Sequence, residues 1–92
     1  MLQQPNTMQG TEGRVLVVDD DGEILSLVAK FLRSNGFVVI TARNGAEMKA
    51  QMLASQIDLV VLDIMLPGTN GLDLCRALRA ESEVPVVMLT AK

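Results

Sequence analysis

Histidine is absent from this 92-residue sequence, which removes the commonest general base near neutral pH and the commonest transition-metal ligand. Tryptophan and tyrosine are absent as well, and there are only two phenylalanines, so a core must be built from Val, Leu, Ile, Ala and Met. Cys75 is the single cysteine. It excludes an intrachain disulfide and a thiolate zinc cluster, and it is compatible with a reducing compartment. No apolar run reaches the ~20 residues of a membrane span, and the first residues lack the charged and apolar regions of an export signal. A cytoplasmic chain without membrane contact is expected. A basic surplus is missing too: eight Lys and Arg stand against eleven Asp and Glu, for a formal charge of −3. That argues against this segment itself gripping nucleic acid.

What is present suffices for one modest domain. Hydrophobic residues make up 49% of the chain, and its length fits a single core. Residues 1–13 are aperiodic and rich in Gln, Asn, Thr and Gly, so they read as a disordered tail. Regular patterning begins at Arg14. Val15-Leu16-Val17-Val18 is a continuous β-branched run, as expected of a strand covered on both faces. It leads into Asp19-Asp20-Asp21-Gly22, which contains good helix caps. Ile24, Leu27, Val28, Phe31 and Leu32 then follow helical spacing, and Asn35-Gly36 supplies a stop. A second strand is expected over Phe37–Thr41. A second helix is expected over Ala46–Ala54, with Met48, Met52 and Leu53 inward. Asp58–Asp63 reads as a third strand, and Ile64–Asn70 as a loop. Gly71–Arg79 reads as a third helix, with Leu72, Cys75 and Leu78 inward and Arg76 and Arg79 outward. Val84–Thr90 is the fourth strand. The order β-α-β-α-β-α-β predicts an α/β fold, a parallel sheet covered by helices on both faces.

Sites in open α/β sheets form beyond the carboxyl ends of the strands. Asp19 and Asp20 follow the first strand, Asp63 ends the third and Thr90 the fourth. A flavodoxin-like strand order 2-1-3-4 would gather all of these in one cleft. Carboxylates so close repel unless some are protonated or a cation neutralises them. An oxygen-only donor set without His or thiolate suits Mg²⁺. The compatible chemistry is phosphoryl transfer onto an aspartate, which relies on geometry and charge neutralisation more than on a strong base. Each residue alone has a blander role open to it. An acid after a strand is often a helix cap, and Asp21 is assigned that role. Thr90 alone would be a β-branched strand residue, Pro67 and Gly71 loop punctuation, and Cys75 a small core residue. The cluster carries the functional reading.

Three segments in register, Val15-Leu16-Val17-Val18-Asp19-Asp20-Asp21, Leu62-Asp63-Ile64-Met65-Leu66-Pro67-Gly68 with Asn70-Gly71, and Val86-Val87-Met88-Leu89-Thr90-Ala91-Lys92, resemble the receiver domain of bacterial two-component response regulators. The resemblance spans residues 14–92. The wording around Asp63 is closest to receivers that precede a winged-helix DNA-binding domain. It implies that Asp63 accepts a phosphoryl group from a histidine kinase. It also implies that Asp20, Asp63 and the Met65 carbonyl hold Mg²⁺, with Asp19 acting through a water. Thr90 and the Ala91 N–H would bind the phosphoryl oxygens, Met65 and Lys92 would tune the lifetime of the acyl phosphate, and Leu66-Pro67-Gly68 would shape the loop above the acceptor.

The resemblance also sets out what residues 14–92 do not contain. The family's fifth strand, with its lysine and aromatic switch residue, and its last two helices would lie beyond Lys92. Lys92 follows Thr90 too closely to be that lysine, and both Phe fall in the first half of the chain. Phosphotransfer by these residues alone is therefore expected to be impaired. The apolar edge of the fourth strand is expected to promote self-association or element swapping. DNA would be reached only through an output domain outside this sequence. Two rivals stand beside this reading. One is a receiver-like docking module that does not transfer phosphate. The other is a haloacid-dehalogenase-type phosphatase, with Asp19 as nucleophile and Asp21 as general acid. The second leaves Leu62–Gly71 unexplained and places Glu23 where that family has Thr.

Overall fold

The computed structural model describes residues 13–66 and 70–89. Its elements are β1 (Arg14–Val18), α1 (Gly22–Ser34), β2 (Val38–Ala42), α2 (Gly45–Ala54), β3 (Leu59–Asp63), α3 (Gly71–Glu81) and β4 (Val86–Leu89). All strand pairs are parallel, as the alternation of strands and helices predicts, and the order β2-β1-β3-β4 is the flavodoxin-like one expected. The alternation of side chains along a strand divides β1 between two cores. Val15 and Val17 face Leu25 and Ala29 of α1 together with Val39 and Val61. Leu16 and Val18 face Met48, Leu74 and Leu78 of α2 and α3 together with Val60 and Leu62. The sheet is thus covered on both sides, which is why its strands read as unbroken apolar runs. β4 pairs with β3 alone among the described residues, so its other edge is open.

Local signals set the helix ends. Asp21 caps α1, its Oδ1 accepting the N–H groups of Glu23 and Ile24, as assigned. At the other end Gly36 adopts φ +94°, a conformation that suits glycine. The Gly36 N–H donates to Arg33 O and the Phe37 N–H to Leu32 O, a Schellman closure. Phe37 therefore belongs to the helix stop, and β2 begins one residue later than expected. Asp58 also lies outside its expected strand. Its carboxylate accepts the Arg14 N–H at 2.8 Å, tying the starts of β1 and β3 together. Asn44 and Asn70 cap α2 and α3.

The helix faces depart from expectation. On α1 the buried residues are Leu25 and Ala29, with Val28 and Leu32 partly covered. Ile24, Leu27 and Phe31 are exposed, the last two by 67% and 64%. Apolar residues on α1 satisfy two overlapping stripes. The sheet takes the one holding Ala29, whose small side chain lets the helix lie close. On α2, Met48 is buried and Met52 half-buried, while Leu53 is 90% exposed. Leu53 lies one position off the Met48–Met52 row, on the far side of the helix. On α3 the buried pair is Leu74 and Leu78. Leu72 is half-exposed, and Cys75 packs at the margin of the core. Leu74 fills the space above Gly45, where a Cβ would come within 3.0 Å of its Cδ2.

These faces predict opposite outcomes for two apolar residues of α2. Met48→Ala should cost about 2–5 kcal/mol, and Leu53→Ala should stay within about 0.5 kcal/mol. Urea midpoints of the two variants check this, and equal losses would contradict the observed face.

Candidate functional site

The pairing of β1 with β3 aligns Val18 with Leu62, so Asp19 and Asp63 emerge side by side from adjacent strands. Asp20 follows at the rim. One carboxylate oxygen from each of Asp19, Asp20 and Asp63 lies within 4.8 Å of the others. Asp19 and Asp63 are only 5% and 8% exposed, whereas Asp20 faces solvent. The two buried acids are held alike. Asp19 Oδ1 accepts the Asp21 N–H at 2.9 Å, and Asp63 Oδ1 accepts the Met65 N–H at 2.9 Å. These are local side-chain to backbone bonds of the kind Asp favours in turns. Each fixes one oxygen of its carboxylate.

Burial pushes the Asp19 carboxyl above the ordinary 3.8, and the negative charges of Asp63 and Asp20 push it the same way. The hydrogen bond from Asp21 pulls against them. The site thus carries more negative charge than its surroundings relieve. Hard, anionic oxygen donors without nitrogen or sulfur suit a hard divalent cation.

The loop after Asp63 is clamped from two sides. The Ile64 N–H donates to Leu89 O of β4, and the Gly71 N–H of α3 donates to Ile64 O. A Cβ on Gly71 would lie 2.5 Å from Ile64 Cα and 2.8 Å from Asp63 O, so only glycine lets α3 begin against the backbone of Asp63. Helical spacing starts α3 at Gly71, but this close approach to the Ile64 backbone is a tertiary contact that spacing does not reveal. The Asn70-Gly71 pair was its only trace.

Of the predicted site residues, Asp19, Asp20 and Asp63 come together, and Met65 stands beside them with its side chain exposed. Thr90, Ala91 and Lys92 lie outside the described residues, as do Pro67, Gly68 and residues 1–12 of the expected tail. Asp21, the general acid of the phosphatase reading, is engaged as a helix cap.

Residues 15–92 match the family described as the response regulator receiver domain. The chain belongs to the two-component response-regulator receivers. Among curated relatives, the DNA-binding response regulator MtrA of Mycobacterium tuberculosis is 48% identical over 79 residues, covering 86% of this chain and 35% of its own length. The receiver thus spans about a third of the curated relatives it matches. The beryllofluoride-activated receiver of Klebsiella pneumoniae RstA superposes with a TM-score of 0.82 at 36% identity, over 87% of this chain and 68% of its own. TrrA of Thermotoga maritima, solved with Mg²⁺ and beryllofluoride, gives 0.81 at 36% identity, over 87% of this chain and 70% of its own. No helix among the described residues of the receiver is long and apolar enough to cross a membrane.

The raised Asp19 carboxyl gives a pH prediction. The folded receiver holds this proton more tightly than the unfolded chain does, so this group's contribution to stability falls as pH rises from 3.8 through the raised value. Above both values the ionised form is a standing cost. In chelator at neutral pH, Asp19→Asn should therefore raise the thermal midpoint by a few degrees and flatten the acid-side slope. Denaturation curves collected across pH check this, and an unchanged slope would contradict it.

Proposed function

We propose that Asp63 is the phosphoryl acceptor of this receiver, within a folded unit of residues 14–92, and that a histidine kinase is the donor. The observation that carries the reading is the buried Asp63 carboxylate beside Asp19 and Asp20. Met65 occupies one oxygen of Asp63, leaving the other as nucleophile. That oxygen attacks the phosphorus of a phosphohistidine, the new P–O bond forms as the P–N bond breaks, and the imidazole nitrogen leaves with the electron pair. Asp63 then carries an acyl phosphate. Asp19, Asp20 and Asp63, with the Met65 carbonyl, would hold Mg²⁺. When bound, the ion neutralises charge shared between the carboxylates and the phosphoryl oxygens. Thr90 and the Ala91 N–H are assigned to the phosphoryl oxygens. The Mg²⁺ and beryllofluoride bound by the Thermotoga maritima relative support this assignment.

The burial that raises Asp19 is shared by Asp63, and charge interactions are stronger there than in open solvent. Relatives such as MtrA are DNA-binding regulators. The state of Asp63 is accordingly assigned to the control of transcription through further domains of a longer protein. In that setting the receiver is a cytoplasmic signalling switch.

Exposure to acetyl phosphate with Mg²⁺, followed by intact mass measurement, tests the assignment. One phosphoryl group should add to the wild-type chain, slowly because the family's fifth-strand lysine lies outside these residues, and none to Asp63→Asn. An adduct that persists in Asp63→Asn but disappears in Asp19→Asn would overturn it.

A further inference from the structure

We propose that the cleft between α1 and the outer edge of β2 is an oxyanion-binding site, distinct from the carboxylate pocket. It is an open groove of about 330 Å³, and Arg33, Arg43, Ser26, Thr41 and Glu47, all exposed, contribute to its lining. None of Asp19, Asp20 and Asp63 belongs to that lining. The volume is at the small end of ligand clefts and fits a compact anion.

The two guanidiniums carry the argument. The only ion pair among the described residues joins Asp73 and Arg76, so neither Arg33 nor Arg43 has a carboxylate of the described residues within pairing distance. Arg33 donates through Nη2 to Val39 O at 3.0 Å. This fixes its position along β2 and uses one of five donors. The Arg43 guanidinium comes close to the start of α1, 3.7 Å from where a Cβ on Gly22 would stand. It makes no side-chain hydrogen bond to the described residues. Glu47 is the one acid of the lining, and its Oε1 is taken by the Arg43 backbone N–H at 2.8 Å. Glu47 keeps its charge, so two arginines against one glutamate leave the cleft a surplus of one positive charge within a chain of net −3.

Ser26 and Thr41 add two hydroxyls that can donate to the same guest. Planar forks flanked by hydroxyls suit phosphate or carboxylate oxygens, which accept paired N–H donors. Arg33 also guards the open edge of β2 by occupying an outward carbonyl, a device that discourages strand addition. That favours a compact anion over an extended peptide as the occupant.

The test is a titration of the full 92-residue chain, in chelator and at fixed ionic strength, with inorganic phosphate and separately with citrate. Amide NMR shifts are the readout. Saturable shifts at Gly22, Ser26 and Thr41 are expected with one or both probes. Phosphate alone would mark a tetrahedral oxyanion site, and citrate alone a carboxylate site. Arg43→Gln removes no hydrogen bond or ion pair of its guanidinium to the described residues, and should weaken the response about tenfold. The proposal is overturned if neither probe gives a saturable shift, if the shifts centre on Asp63, or if Arg43→Gln binds as the wild type does.

Discussion

Two carboxylates stand abreast in this receiver because β1 and β3 are parallel neighbours in a fixed register, and the rest of the site depends on that enforced proximity. Val18 lies opposite Leu62, so the next residue on each strand, Asp19 and Asp63, cannot avoid the other. Both are buried. Two negative charges in that position oppose folding unless protons, donors or a cation relieve them. The surrounding structure supplies part of the relief. Each acid receives one backbone N–H from two residues downstream. The sheet resists the remaining repulsion through the apolar strands beneath, where Leu16, Val17, Val60 and Leu62 are almost wholly buried. The pocket is a strained patch held in place by an aliphatic core.

The clamp on the following loop belongs to the same design. The Ile64 backbone is bonded to both β4 and α3, and Gly71 lets the α3 backbone press against Asp63 and Ile64. A side chain at Gly71 would push α3 away from Asp63 and Ile64. The position of Asp63 is thereby fixed from three directions: its own strand, the neighbouring β4 and the start of α3. Positioning of this kind is what phosphoryl transfer asks of a protein.

Much of this was legible in the sequence. The apolar runs ending in Asp19 and Asp63 announced strands buried on both faces, and their alternation with helical segments announced a parallel sheet, while the strand order followed from the likeness to flavodoxin-like folds. Asp21 as a cap and Asn35-Gly36 as a stop were readable because capping chemistry is local. The buried helix faces were less readable. Apolar residues fill more than one stripe of α1, and periodicity alone could not choose Leu25 and Ala29 over Leu27 and Phe31. Leu53 and Leu72 were read as inward for the same reason. Gly71 was legible as the start of α3, but its close approach to Ile64 is a tertiary contact. The meeting of Arg33 and Arg43 in one cleft is also tertiary, since helix and strand bring together residues ten positions apart. Thr90 and Ala91 lie outside the described residues, so their part in the site rests on the resemblance.

The central claim is that Asp19, Asp20 and Asp63 act as one charged unit that a divalent cation neutralises. The most direct measurement is the thermal midpoint of the chain titrated with Mg²⁺ at constant ionic strength. Binding to the folded state alone predicts a midpoint that climbs with the logarithm of ion concentration, by the equivalent of about 2.7 kcal/mol at a hundredfold excess over the dissociation constant. The climb should be lost in Asp20→Asn, whose exposed side chain can be neutralised without disturbing the core. A flat titration in the wild-type chain, or an undiminished climb in Asp20→Asn, would contradict the account.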